Sequence, residues 1–261
     1  MKERILITGS SGKLGSDILR FVGGKTDKEV IGLSHAHLDI TDKQQVKDAI
    51  KRYSPDVIIN CAALTDLDYC EDRPEETHKV NVIGTKNLAD YSPESYLIQI
   101  SSDYVIDPVN EYTRSKLLSE APVLKSKGLV IRTTYYNERH WVIKGLMERK
   151  EIKALTTHLF NPASSLFLAD SIIRFIEKKV KGTVNIGTKN KISFYDFAGL
   201  VKEKLGIKEN LVKPIERIGW KRAKRPDDVF LDTKETERIG IKIPTIEEDL
   251  DNFVRHLNKR V

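Results

Sequence analysis

The sequence predicts an α/β protein: a doubly wound parallel sheet followed by a smaller C-terminal lobe. Three observations predict it. Short apolar runs rich in β-branched residues alternate with longer amphipathic stretches. The runs lack a polar face, as strands covered by helices on both sides do. A glycine-rich turn, ITGSSGKLGSDIL (Ile7–Leu19), joins the first run to the first amphipathic stretch.

The elements follow in order. Strands are predicted at Arg4–Thr8, Val30–Leu33, Val57–Asn60, Leu97–Ser101 and Leu129–Arg132. The spacers between them, Leu14–Val22, Gln44–Tyr53, Pro74–Tyr91 and Tyr112–Leu124, carry helical amphipathicity and serve as crossovers. After about residue 135 the alternation loosens. Helices are expected at Glu138–Arg149, Ala169–Lys179, Phe194–Leu205 and Ile246–Leu257, with a strand at Thr183–Gly187. We therefore expect a dinucleotide-binding domain over residues 1–135. Residues 136–261 should form mainly a second lobe, with some segments returning to the main sheet.

The bulk numbers exclude several classes. The 261 residues suffice for one large domain, or one large and one small. No segment approaches the ~18 apolar residues of a membrane span, and the N-terminus runs straight into a strand, so neither a membrane anchor nor a signal peptide is expected. Two cysteines, Cys61 and Cys70, make no disulfide framework and imply a reducing, cytoplasmic setting. The net charge is +6. The bases are interspersed with acids, however, and the one dense run, Lys221–Arg225, has no interleaved aromatics, so nucleic acid is not expected as a partner. The six histidines show no metal-ligand spacing.

The glycine turn holds Gly9, Gly12 and Gly15, three apart, between a strand and a helix. In that context Gly9 permits the tight turn, Gly12 lets backbone approach a pyrophosphate, and Gly15 lets helix and strand pack closely. Ser11, Lys13 and Leu14 complete the cradle, and the helix N-terminus offers N–H groups to the anion. The pattern predicts the phosphate-binding corner of a Rossmann fold. An acid at the end of the second strand would bind the adenosine ribose of NAD and repel the 2′-phosphate of NADP. That strand ends Leu33-Ser34-His35, so NADP stays open and is favoured slightly over NAD. Lys13 or His35 could meet the 2′-phosphate. Asp39 and Ile40 lie where an adenine would, although Asp39 could instead cap the helix beginning near Lys43.

The fourth strand runs into Ser101-Ser102-Asp103-Tyr104, and Tyr112-Thr113-Arg114-Ser115-Lys116 follows. Tyr112 and Lys116, four apart on a helix, share one face. A nearby ammonium lowers a tyrosine pKa. Tyr112 could then protonate a carbonyl oxygen while hydride reaches the carbon. Ser102, at a strand's carboxyl end, could bind the same oxygen. About one Tyr-x-x-x-Lys is expected by chance in so lysine-rich a chain. It is order and context that carry the reading.

These residues resemble the extended short-chain dehydrogenases/reductases. Five further pieces, Pro55–Ala63, Asn81–Leu88, Ser102–Val105, Ile131–Thr134 and Arg225–Asp232, narrow the resemblance to the dTDP-4-dehydrorhamnose reductase family over nearly the whole chain. The resemblance implies NAD(P)H-dependent reduction of the C4 ketone of dTDP-4-dehydro-L-rhamnose. It makes Tyr112 the acid, Lys116 the nicotinamide-ribose ligand and Ser102 the carbonyl ligand. Asn60, Ala62 and Ala63 would line the cofactor cleft, and Tyr104, Tyr135 and Arg225 would face the nucleotide-diphosphate sugar. A homodimer is compatible with this reading. Departures from the family pattern are the short span from Tyr104 to Tyr112, Thr113 in place of a glycine, Tyr135 in place of a tryptophan, and Pro162-Ala163 in place of Pro-Thr. They leave two alternatives open: another nucleotide-sugar reductase or epimerase, or a non-catalytic subunit similar to the regulatory beta subunit of methionine adenosyltransferase.

Overall fold

A computed structural model describes residues 2–216, 222–226 and 228–259. Six parallel strands form the central sheet: β1 (Arg4–Thr8), β2 (Glu29–Leu33), β3 (Val57–Asn60), β4 (Tyr96–Ile100), β5 (Leu129–Thr133) and, from the second half, β10 (Gly182–Ile186). Their order is β10-β5-β4-β3-β1-β2. Period-two alternation explains the continuous apolar runs, because each strand serves both faces. Ile5, Ile7, Val57, Ile59, Ile98, Leu129 and Ile131 enter one core cluster. Leu6, Ile58, Leu97 and Val130, set between them, enter the other.

The chain leaves β1 toward β2 on one side and β3 on the other, so the crevice between β1 and β3 is the topological switch point where such sheets bind ligands. Helix α1 (Lys13–Lys25) buries Leu14, Ile18, Phe21 and Val22 at helical spacing, and packs against α8 (Ser165–Lys178) on the first cluster's face. On the opposite face α2 (Lys43–Tyr53) is capped by Asp42, which accepts from the N–H groups of Gln44 and Gln45; Asp39 instead accepts from Thr41 N. Next comes α3 (Leu67–Asp72).

The single helix expected over residues 74–91 is interrupted. It consists of α4 (Pro74–His78), a π-helical turn over Lys79–Gly84, and α5 (Thr85–Tyr91). The wider turn faces Asn81 inward, where its Nδ2 donates to Leu64 O at 3.0 Å and Ser115 Oγ at 2.8 Å. Wide turns of this kind cluster at functional sites. Helix α6 (Glu111–Lys125) begins with a capping box between Asn110 and Thr113. The threonine that stands where the family carries glycine is therefore the partner that fixes this helix start.

Beyond β5 lie β6 (Tyr135–Tyr136), α7 (Trp141–Met147), β7 (Ile152–Leu155), β8 (Leu159–Phe160) and β9 (Ala163–Ser164). After β10 come β11 (Ile192–Ser193), α9 (Phe194–Lys204), β12 (Val212–Ile215), α10 (Lys234–Arg238) and α11 (Ile246–Asn258). Their core gathers Tyr136, Ile143, Phe160, Phe197 and Phe253. The Tyr136 hydroxyl donates to the buried Asp249 at 2.9 Å, which ties α11 to β6. Asp249 also accepts from the Ser164 N–H and hydroxyl. Among the described residues no helix is long and apolar enough to cross a membrane.

Candidate active site

The glycine turn is built without room for side chains. Gly9 has φ +63, and a Cβ there would lie 2.7 Å from Ala62 N. A Cβ on Gly15 would lie 2.2 Å from Gly9 O. Gly9 therefore keys the turn to the loop after β3, and Gly15 keys it to α1. Gly12 differs. A Cβ there meets only Gly9 O, at 3.1 Å, and the residue is an exposed N-cap with no side-chain hydrogen bond closing the helix end. Gly12, Lys13, Leu14 and Gly15 line one end of a cleft of about 410 Å³. An open helix N-terminus with glycine at the point of approach fits a pyrophosphate.

Ser102, Tyr112 and Lys116 line the other end of the same cleft. Ser102 follows the tip of β4 and caps the short 3-10 turn Asp103–Ile106. Tyr112 and Lys116 descend from the first turns of α6. Lys116 is 3% exposed and donates to Ile100 O at 2.6 Å. Burial pulls its pKa down to about 8. Burial pushes the Tyr112 phenol well up, and a hydrogen bond with Ser102 draws it partly back. The sequence suggested that the ammonium would lower this phenol. Lys116 is turned onto the strand carbonyl, and desolvation sets the protonation of both groups. Cys61, beside Lys116 in the cleft, is pushed up to about 12 by burial and is inert as a thiol.

Asp103 is buried next to these groups. Its Oδ1 accepts from Tyr104 N at 2.9 Å and Ser102 Oγ at 3.1 Å. Its Oδ2 is buried with no hydrogen-bond partner among the described residues. Burial lifts its pKa to about 7, against the pull of the hydrogen bonds from Ser102 and Tyr104.

The other sequence-predicted residues divide. Ala63, Tyr104 and Tyr135 line the cleft. The Tyr104 hydroxyl reaches His158 Nε2 at 3.4 Å, and His158 stacks on Phe194 with ring centroids 5.0 Å apart. Asn60 is fully buried beneath the cleft. It accepts from Thr8 Oγ1 at 2.6 Å and Ala62 N at 3.2 Å, and donates to Gln99 Oε1 at 2.7 Å, so it holds the Ala62–Ala63 loop from below. Ile40 packs in the core against Gly84. Ser34 pairs with His37 Nδ1 at 2.8 Å, and Ser11 is exposed beside the glycine turn. Arg225 is outside the cleft lining, tied to Asp68 at 2.9 Å and to Ala223 O, with its charge felt at Tyr104. Lys221 and Asp227, inside stretches singled out in the sequence, lie outside the described residues.

Sequence reasoning did not assign Asp103, Asn81, Ser101, Thr133 or Thr134. Of these all but Asn81 line the cleft, and Asn81 braces the Leu64 loop and α6 behind it. Asp103 sits inside the Ser-Asp-Tyr-Val piece, where its position after the strand-end serine was the available signal.

A parallel sheet with a glycine cradle at its switch point, and a serine, tyrosine and lysine meeting across from it, defines a dinucleotide-binding protein of the dehydrogenase/reductase class. The family model described as the RmlD substrate binding domain matches residues 2–259, and the chain belongs to that family. A dTDP-4-dehydrorhamnose reductase of Aggregatibacter actinomycetemcomitans is 30% identical, covering 96% of this chain and 98% of its own. The crystal structure of a Clostridium acetobutylicum dTDP-4-dehydrorhamnose reductase superposes with a TM-score of 0.89 at 31% identity, covering 98% of this chain and 99% of its own. That of the Bacillus anthracis dTDP-4-dehydrorhamnose reductase, in complex with NADP, also gives 0.89, at 26% identity and the same coverages.

Proposed function

We propose that this protein reduces the C4 ketone of dTDP-4-dehydro-L-rhamnose to dTDP-L-rhamnose, with NADPH, or NADH, as reductant. One observation carries the reading: Ser102, Tyr112 and Lys116 share a cleft with the open, glycine-lined start of α1. Membership of the RmlD family and the named activity of the relatives support it.

Gly9–Gly15, with Ser11 and Lys13 beside them, hold the pyrophosphate. Ser34 and Asp39 border the adenosine end, whereas the buried Ile40 packs beneath it, and the absence of a carboxylate at Ser34 admits the 2′-phosphate. Asn60 supports the Ala62–Ala63 wall. The reduced nicotinamide supplies hydride when bound. Lys116, freed from Ile100 O, donates to the nicotinamide ribose; that carbonyl keeps Gln99 Nε2 as a donor at 2.9 Å. Ser102 donates to the ketone oxygen, and Tyr112 gives it a proton. The raised phenol pKa suits that task, since Tyr112 must be protonated before each reduction. Tyr104 and Tyr135 border the sugar. Arg225, at the outer edge, can exchange Asp68 for the diphosphate.

The test is a panel of nucleotide-linked 4-keto-6-deoxy sugars, each with NADPH and NADH, followed by loss of reduced-cofactor absorbance and NMR of the product. The dTDP-4-dehydro-L-rhamnose arm should turn over fastest and give the reduced sugar. No turnover in any arm, or an epimerised ketone as product, refutes the assignment.

A further inference from the structure

We infer that Asn137 and Arg139 are positioning residues that couple the cofactor end of the cleft to its sugar end. The inference rests on the reductase reading and adds a link between its two ligands.

The link starts from a buried charge that the proposed chemistry does not use. Asp17, on α1, is 1% exposed and stands outside the cleft lining. The inner face of a helix is a costly place for a carboxylate unless partners hold it there. One partner is Arg20, a turn further along the same helix, at 2.8 Å. The others come from the loop after β6. Asn137, itself 2% exposed, donates from Nδ2 to Asp17 Oδ2 at 2.8 Å and to Lys13 O at 3.2 Å. The Arg139 guanidinium lies 4.0 Å from Asp17 and donates to Lys13 O and to the Ser16 hydroxyl. Asn137 Oδ1 accepts from Arg139 N at 2.9 Å, which holds the loop in the shape that makes these bonds. Asp17 thus seats both donors on the first turn of α1.

That turn is the proposed phosphate cradle. The carbonyl that takes both donors, Lys13 O, belongs to the same peptide unit as Leu14 N–H. Leu14 lines the cleft, and its N–H is one of those that a helix start leaves open. A pyrophosphate on that N–H polarises the peptide and makes Lys13 O a stronger acceptor. Asn137 and Arg139 are then held more firmly. Two residues before Asn137 is Tyr135, which lines the cleft and feels the charges of both Asp17 and Arg139. On its other side Tyr135 pairs with Ala163 between β6 and β9. Bound cofactor therefore steadies Tyr135 for the sugar nucleotide, and by linkage the sugar nucleotide tightens the cofactor by the same factor.

The experiment titrates dTDP-L-rhamnose calorimetrically into wild type, Asn137→Ala and Arg139→Gln, each with and without saturating NADPH. Both ligands are reduced, so nothing turns over during the titration. Wild type should bind the sugar nucleotide about fivefold more tightly with NADPH present. Asn137→Ala should bind each ligand alone within about threefold of wild type, while the enhancement falls to about one. Arg139→Gln, at a partly exposed position that leaves Asn137 in place, should lose part of the enhancement, and it stands in should Asn137→Ala fail to fold. Hydrogen exchange supplies a readout that needs no sugar. NADPH alone should slow exchange of the amides of residues 135–139 in wild type, and less so in the variants. No enhancement in wild type, or an enhancement unchanged in the variants, overturns the coupling and leaves the reductase standing. Wild type that does not bind dTDP-L-rhamnose at all overturns the reductase reading, and the exchange of residues 135–139 still decides whether the loop responds to the cofactor.

Discussion

Replacing Lys116 with methionine should make the protein more stable and catalytically silent. Lys116 is 3% exposed, and burial lowers its pKa from 10.5 to about 8. At about 1.4 kcal/mol per pH unit, a charged Lys116 costs the folded state about 3 kcal/mol at pH 7. The sign follows from proton counting. Between pH 8 and 10.5 the unfolded chain holds the lysine proton more tightly than the fold does, so stability rises with pH across that window. Below pH 8 the full penalty applies. Methionine matches the length of the aliphatic stem and carries no charge. It also leaves Ile100 O bonded to Gln99 Nε2, so no buried acceptor is stranded. Urea unfolding of Lys116→Met should therefore show a gain of about 3 kcal/mol at pH 7, shrinking toward zero by about pH 10. Turnover should fall by about two orders of magnitude or more, with the loss in kcat as well as in NADPH affinity. A variant less stable than wild type at pH 7, or a gain that does not change with pH, would refute the claim that desolvation sets this lysine.

Three further outcomes follow from the same geometry. Tyr112→Phe should lower kcat by about 10²-fold or more while NADPH affinity, read by fluorescence titration, changes little; unchanged turnover removes Tyr112 from the acid's place. Gly12→Ala should leave the unfolding free energy within about 1 kcal/mol, because the new methyl meets only Gly9 O at 3.1 Å, yet should weaken NADPH binding at least tenfold by crowding the pyrophosphate. Equal affinity would mean the turn is only a corner. Asp103→Asn should gain stability relative to wild type as pH rises. The folded pKa of Asp103 is raised from 3.8 to about 7, so its contribution is full below pH 3.8 and lost as pH climbs through 7, a change of about 4 kcal/mol by pH 8 in chemical denaturation. A constant difference between the two proteins from pH 5 to 8 would show that Asp103 titrates normally.

What could be read from the sequence was whatever depends on spacing along the chain. The turn from Gly9 to Gly15 is local, and its role follows from a strand before it and a helix after it. Ser102, Tyr112 and Lys116 were legible because a strand end and a helix start fix where their side chains begin. What could not be read depends on distant chain meeting. Arg225 reads as a residue facing the nucleotide-diphosphate sugar; its pairing with Asp68 shows only when α3 arrives beside it. Asn60 reads as a cleft residue; its burial under Thr8, Gln99 and the Ala62 loop appears only when β1, β3 and β4 lie side by side. The π turn at Lys79–Gly84 follows from the inward demand of Asn81 and the contact of Gly84 with Ile40, neither of which leaves a periodic trace. The direction of the Tyr112 shift does not follow from sequence for the same reason. Adjacency on a helix suggested an attraction, and only the packed cleft shows that desolvation outweighs it.

That outcome has a consequence for how the site works. Burial moves Tyr112 up, Asp103 up and Lys116 down, each toward its uncharged form. Tyr112 is thereby held neutral at pH 7, while Lys116, at about 8, still carries most of its charge there. The glycine end presents backbone dipole and Lys13 to solvent. An anionic dinucleotide is thus drawn first to the glycine end, by charge, and its neutral ring reaches a desolvated pocket that holds the Lys116 ammonium. There each hydrogen bond to a forming oxyanion acts in a low-dielectric surrounding, which is the setting in which such bonds contribute most to a transition state. Substituting a fixed charge, as in Ser102→Asp, should therefore lower kcat far more than Ser102→Ala does, although both remove the same hydroxyl. Equal losses in steady-state kinetics would show that the field of this pocket is of no consequence.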